Sequence, residues 1–332
     1  MTSLIQGADK TRLSIYIAAG VGVVTASSLA YFYKRYRDNY IPPKEWKKVG
    51  ELTDLICYPV KSCGPVRVNS IHCSKIGLES NLMRDRIFMV VRTDGEFITG
   101  RQHPKMVLVQ PSFQGNIMKL SAPGMIDVEV DVERLKKLSP ITTRVWDQPV
   151  KTVDCGEEVA RWFSRYILAE DFGLRLMYYP HDEATRDVKP VNKMYSSMLK
   201  EDTGALHDAT SFMLLNESSI ADLNTRLQNP VSVLNFRPNF LVKGPAAFEE
   251  DNWKWVKIGE EVIFRCNKPC TRCIFTNVDP ETAKRSPDGN PLSTLKGYRQ
   301  FSRLGKTPVM GVHLGLRQSG IMSLGDFVYI GV

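Results

Sequence analysis

Residues 13–33 form a run of twenty-one positions without a charge, LSIYIAAGVGVVTASSLAYFY. As a helix rising 1.5 Å per residue, such a run crosses a hydrocarbon layer about 30 Å thick, so the pattern predicts one transmembrane helix at 13–33 after a short N-terminal tail, 1–12. A cleaved secretory leader has a shorter apolar core ahead of a small-residue site, whereas this run continues into aromatics and Lys34-Arg35. Lys34, Arg35 and Arg37 outweigh Lys10, Arg12 and the offsetting Asp9 on the other side, which places the following domain in the cytosol. Residues 34–48 are polar and basic with Pro42 and Pro43 among them, and read as a linker before a folded domain starting near Val49.

From there the hydrophobic pattern is one of short runs rich in β-branched and aromatic residues, at 86–91, 128–132, 240–242, 262–264 and 327–330, separated by Gly, Pro, Asp and Asn. Helical spacing is clear in two places. One is Val159, Trp162, Phe163, Tyr166 and Ile167, preceded by Asp154 as a cap with Glu157 three residues on. The other is 218–227, with Ile220, Leu223 and Leu227 on one face. Both stripes read as core-facing. The sum is a mostly β chain with inserted helices, an α+β fold. Residues 182–201 are charged and aperiodic and read as a loop joining two halves, 49–188 and 189–332.

The chain has 332 residues, 43% of them hydrophobic, enough for a sizeable core. Its formal charge of +8 first suggests a polyanion partner. Residues 1–50, however, carry eight Lys or Arg and three Asp or Glu, so +5 lies beside the apolar run and only +3 in the remainder. Without a basic, aromatic-interleaved patch, nucleic acid binding is excluded and an anionic small ligand suffices. No GxGxxG or GxxxxGK[ST] loop supports a nucleotide-binding α/β reading. Seven scattered cysteines suit a reducing compartment rather than a disulfide framework.

Three of those cysteines fall in CNKPCTRC, Cys266 to Cys273, within one loop's reach. Taken bare, the spacing fits a four-iron cluster of the S-adenosylmethionine type, half of a zinc site, or one thiolate on a soft metal carried by an organic cofactor. The first needs a large barrel downstream, where only 59 residues remain, and the second lacks its other ligand pair. The neighbours bear on the third. CxRCxxTxVDPxT is followed by PLxTLxxYR at 291–299, and earlier come Tyr58-Pro59-Val60-Lys61-Ser62, Arg84-Asp85-Arg86, Thr210-Ser211 and Asn235-Phe236-Arg237-Pro238-Asn239. In this order the motifs resemble MOSC-domain proteins that bind molybdenum cofactor and, together with the apolar run, are similar to the amidoxime-reducing components of animal mitochondria.

That resemblance implies an N-terminal MOSC subdomain followed by a β-barrel MOSC domain. It implies Cys273 as the catalytic molybdenum ligand, and Lys61, Ser62, Arg86, Thr210, Ser211, Arg237, Thr271 and Arg272 as molybdopterin-binding residues, with Arg84 and Arg272 supporting from behind. Cys266 and Cys270 read as buried structural thiols. The family's Asp-Thr-Ser is here Asp208-Ala209-Thr210-Ser211, one residue longer. The implied activity is reduction of N-hydroxylated compounds such as amidoximes, hydroxylamines and hydroxamic acids, and of nitrite. Electrons would come from cytochrome b5 and NADH-cytochrome b5 reductase at the outer mitochondrial membrane, with a peroxisomal membrane as the other location. The rival reading is a membrane-anchored cofactor carrier or sulfur-transfer protein, and a third is a scaffold with inert thiols.

Overall fold

The computed structural model describes residues 28–188 and 192–332. The chain divides into Met1–Pro43 and Lys44–Val332. The anchor expected at 13–33 lies outside the described residues up to position 27. Residues 28–40 are helical, and among the described residues no helix is long and apolar enough to cross a membrane.

Within Lys44–Val332 eleven strands position the site: β1 (Trp46–Cys57), β2 (Phe88–Arg92), β3 (Ile141–Val145), β4 (Gln148–Asp154), β5 (Leu174–Tyr178), β6 (Phe212–Asn216), β7 (Phe240–Lys243), β8 (Trp255–Ile258), β9 (Val262–Thr271), β10 (Val309–Gln318) and β11 (Phe327–Gly331). Seven of them close a barrel in the order β7-β6-β10-β9-β8-β11-β1, with β1 pairing back onto β7. β6 and β7 run parallel, so they need a crossover connection, which helix α2 (Glu217–Asn224) supplies; α1 is Glu157–Leu168. A second sheet, β3-β4-β5-β2, carries α1 on its apolar core. Smaller sheets form from Gln110–Gln114, Ile117–Ser121 and Val128–Asp131, and from Gly320–Ser323, Ser70–Ser74, Gly77–Ser80 and Met83–Arg84. The chain is thus mostly β with few helices.

Period-two alternation sorts the barrel side chains. On β6, Phe212 and Leu214 join one apolar cluster, in which the rings of Phe212, Phe240 and Phe264 lie 5.1 to 5.7 Å apart. Met213 and Leu215 join another cluster, with Leu223 and Leu227 from α2 and its continuation.

Four local expectations change. Arg86 has φ 50°, so β2 starts only at Phe88, and the run at 86–91 is a turn followed by a strand. Asp131 accepts a hydrogen bond from Arg134 N at 3.1 Å and caps a helical turn, so the strand at 128–132 stops one residue early. Gly156, not Asp154, precedes α1; Asp154 instead accepts from Gly156 N at 2.8 Å and pairs with Arg175. β1 begins at Trp46 because Trp46 to Glu51 pair with β11, a pairing hidden in sequence by exposed Lys47 and Lys48.

The largest change concerns the cysteines. β9 runs through ten residues, so Cys266 and Cys270 sit in a strand and not in a loop. Its register against β10 shifts at Cys266/Lys268 and again at Pro269/Thr271. A bulge reverses which face the following side chains take. Cys266 therefore joins the Phe212 cluster and Cys270 the α2 cluster, while Cys273, past the strand end, is exposed.

Gly311 in β10 has φ 75°, and a Cβ there would lie 2.6 Å from Leu214 O. Replacing Gly311 with Ala is expected to destabilise the fold by about 1–3 kcal/mol, seen as a lower urea midpoint; a midpoint equal to the parent's would refute this account of the strand.

Candidate functional site

A cavity of about 530 Å³ opens where the tips of β1, β6, β9 and β10 meet the turn before β2 and the β3–β4 hairpin. Of the residues expected from sequence, Lys61, Ser62, Arg86, Thr210, Arg237, Thr271, Arg272 and Cys273 all line it. Ser211 is not among the lining residues; it is buried, and its hydroxyl donates to Lys75 O at 3.0 Å. Arg84 is also turned away, donating to His181 O and Tyr179 O.

The main chain is bent to deliver several of these side chains. Ser62, Arg86 and Arg237 have φ of 69°, 50° and 53°, in the left-handed region that non-glycine residues rarely adopt. Each costs roughly 1–3 kcal/mol unless the surroundings hold it, and such strain collects at functional sites.

Asp85 supplies much of the hold. Its fully buried carboxylate accepts from Tyr58 N at 2.6 Å, from Asn239 Nδ2 at 3.1 Å and from Arg86 Nη1, and its Oδ2 lies 2.8 Å from His207 Nε2. Burial alone would raise the Asp85 pKa, but the Arg86 guanidinium, the His207 ring and the Tyr58 amide bring it down to about 2. Arg86 in turn donates to Arg237 O at 3.3 Å, and Arg237 donates to Cys63 O at 2.7 Å while lying 4.1 Å over the Tyr58 ring. The second terminal nitrogen of Arg237, Nη2, is buried with no partner among the described residues. Burial lowers the Arg237 pKa to about 10.

Lys61 donates to Leu206 O at 2.9 Å and pairs with Asp208; burial pulls its pKa down to about 8 against the opposing effect of Asp208. Asp208 thus sits at the cavity despite the extra residue in its motif. Thr210 Oγ1 donates to Phe212 O at 3.0 Å and lies 3.0 Å from His313 Nδ1. Arg272 is committed to backbone, with bonds of 2.6 and 2.9 Å to Met310 O and 2.9 Å to Phe236 O, so it clamps β10 beside the thiol.

Sequence reading missed Arg101, Trp146, Gln148, Arg186, His207 and Lys268, which also line the cavity. His207 adjoins Asp208, and two residues between the alternating runs of β3 and β4 are a hairpin signal, so both left traces in the sequence. Lys268 stands inside the CNKPCTRC segment, whereas Arg101 and Arg186 left no trace, because their placement depends on long-range packing. Among the described residues the lining holds seven Lys or Arg against the single carboxylate of Asp208. Such a concave, cationic, partly desolvated surface suits an anionic ligand.

The thiols separate in the same way. Burial pushes Cys266 up to about 12 and raises Cys270, which keeps both protonated, whereas Cys273 is exposed at the cavity. Among the described residues no three His, Cys, Asp or Glu side chains cluster as a metal cage.

Comparison with known proteins agrees with this geometry. Residues 49–170 match the MOSC N-terminal beta barrel domain and residues 201–329 the MOSC domain, so this is a MOSC-domain protein. Mitochondrial amidoxime reducing component 2 of Bos taurus is 36% identical over 288 residues, covering 85% of this chain and 84% of the relative. Mitochondrial amidoxime-reducing component 1 of Xenopus laevis is 34% identical over 327 residues, covering 97% and 92%, and the Homo sapiens component 1 is 34% identical over 290. The chain belongs to the mitochondrial amidoxime-reducing component family.

Burial brings the His207 pKa down from its ordinary 6.5 to about 4, although Asp85 pulls the other way. Between those values the unfolded chain binds a proton that the folded one refuses. Folding stability from this residue is therefore full above pH 6.5 and is lost as pH falls to about 4, by on the order of 3 kcal/mol. Urea unfolding across that window is expected to show a slope that flattens in His207→Gln; parallel curves for parent and variant would contradict it.

Proposed function

We propose that this chain is a molybdenum-cofactor-dependent oxidoreductase that reduces N-hydroxylated compounds, amidoximes first, to the corresponding amine or amidine and water. The observation that carries the reading is the exposed Cys273 thiol beside a cavity lined by desolvated cations, in a member of a family named for amidoxime reduction. The donor set fits molybdopterin: a soft thiolate suits the metal, and the partnerless Arg237 Nη2 calls for an anionic group such as the pterin's phosphate. When bound, the cofactor supplies the two-electron redox change at the N–O bond.

The remaining work falls to the chain. Cys273 would hold the metal. Lys61, Ser62, Arg86, Thr210, Arg237 and Thr271 would hold the pterin, and Arg86 and Arg237 bring fixed forks that need no reorientation, being tied by Asp85 and Cys63 O. Ser211 and Arg272 would act by fixing the backbone around them. Two electrons and two protons are consumed for each water released, and cytochrome b5 with NADH-cytochrome b5 reductase is the proposed electron source. Residues 13–33 are proposed as a single-pass anchor in the outer mitochondrial membrane with the catalytic unit in the cytosol; co-anchoring with the donors would raise their effective concentration. The division at 49–188 and 189–332 is retained as part of this reading on the two family matches.

Elemental analysis of protein made in a molybdopterin-producing host is expected to find near one molybdenum per chain, lost in Cys273→Ser together with turnover of a model amidoxime. Cys266→Ser and Cys270→Ser are expected to keep most of both. Full turnover in Cys273→Ser would sink the assignment, and bound molybdenum without turnover of any N–O substrate would favour a carrier.

A further inference from the structure

The β3–β4 hairpin turns on two residues, Trp146 and Asp147, since Val145 pairs directly with Gln148. Both turn residues are left-handed, with φ of 51° and 62°. Such turns ordinarily take Asn-Gly or Asp-Gly, and an aromatic there is strained. The strain places an indole at the cavity. Trp146 is 44% exposed, braced edge-on by Phe97 at 5.1 Å, and donates from Nε1 to Asp208 Oδ1 at 2.8 Å.

A planar cation already rests there. The Arg101 guanidinium lies 4.6 Å over the Trp146 ring, and its Nη2 is 3.8 Å from Asp208 Oδ2. That distance makes an ion pair but not a hydrogen bond. Among the described residues no hydrogen bond engages the Arg101 side chain, so stacking and charge alone retain it. Two side chains lining the same cavity carry an acceptor without a hydrogen-bond donor among the described residues. Asp208 Oδ1 takes Lys61 and Trp146, but Oδ2 accepts no hydrogen bond among the described residues. Gln148 Oε1 is buried without a donor, its amide nitrogen being bound to Asp187 O at 2.8 Å.

We propose that Trp146, Asp208 and Gln148 form a subsite for a planar amidine group, and that Arg101 occupies it when no ligand is present. The indole offers its face to a flat, electron-poor group, and the two acceptors suit N–H donors lying in the plane. In a cavity crowded with cations an added positive charge is disfavoured. Exchange for the Arg101 guanidinium conserves the charge at Asp208, and among monocations only a flat one keeps both the stacking on the indole and donors in its plane. This assignment rests on amidoxime reduction as the activity: the amidoxime and its amidinium product share the flat frame that the subsite recognises.

Calorimetric titration of the molybdenum-loaded full chain with benzamidine, a flat amidinium, and with benzylamine, a cation of similar size lacking the planar donor pair, tests it. Benzamidine is expected to bind about tenfold more tightly than benzylamine, and to lose about tenfold in Trp146→Gly, which also relieves the left-handed backbone, and severalfold in Gln148→Met. Arg101→Leu is expected to tighten benzamidine severalfold by removing the internal competitor. Equal binding of the two probes, parental affinity in Trp146→Gly, or weaker binding in Arg101→Leu would each overturn the subsite.

Turnover of benzamidoxime separates the two readings. A raised KM with kcat retained in Trp146→Gly supports both. Turnover whose KM ignores Trp146 overturns the subsite and leaves the activity, whereas Trp146-dependent benzamidine binding without parental turnover supports the subsite and overturns the activity.

Discussion

The arrangement of the site depends on one buried charge. Asp85 lies at the meeting point of the end of β1, the turn before β2, the segment entering β6 and the segment entering β7. A carboxylate in that position is tenable only while its oxygens are filled, and removing one partner of such a buried set costs about 3–5 kcal/mol. Its four partners lie up to 154 residues from it along the chain, so satisfying Asp85 draws them together. Arg86 is held by that carboxylate, and Arg237 is held through Arg86 and Cys63, which gives the cavity wall its preset cations.

Backbone irregularity does comparable work at the other wall. Strict alternation along β9 would put Cys266 and Cys270 on one face, and the register shift against β10 between Cys266 and Lys268 parts them instead. Cys273 lies beyond both, past the end of the strand, where the thiol meets the cavity. The same segment thereby holds two inert thiols and one accessible one, and burial rather than residue type makes the difference.

The cavity is cationic without being uniform. Arg86 is tied down by Asp85 and Arg237 O, Arg237 keeps one terminal nitrogen without a partner among the described residues, Arg272 is spent on the backbone, and Lys61 is balanced by Asp208. Asp208 is the point at which sign reverses, and the Trp146 hairpin and Arg101 gather around it. A wall rich in positive charge beside one carboxylate and an indole gives one cavity two regions of opposite preference, one suited to an anion and one to a flat cation.

Much of this protein is legible in its residues. The short β-branched runs announce a mostly β chain, the helical stripe at Val159, Trp162 and Phe163 announces a core-facing helix, and the ordered motifs point to Lys61, Arg86, Arg237 and Cys273, because local pattern and motif chemistry are properties of the sequence itself. Tertiary structure alone decided the rest. Barrel closure by β1 on β7, the bulge that separates the cysteines, and the convergence of Arg101, Arg186, Lys268 and Gln148 on one cavity all arise from pairings between distant segments. Ser211, which motif reading placed at the cavity, spends its hydroxyl on Lys75 instead. A hydrogen bond across 136 residues leaves no mark on the neighbours in sequence, so the strand register that creates it exists only in the folded chain.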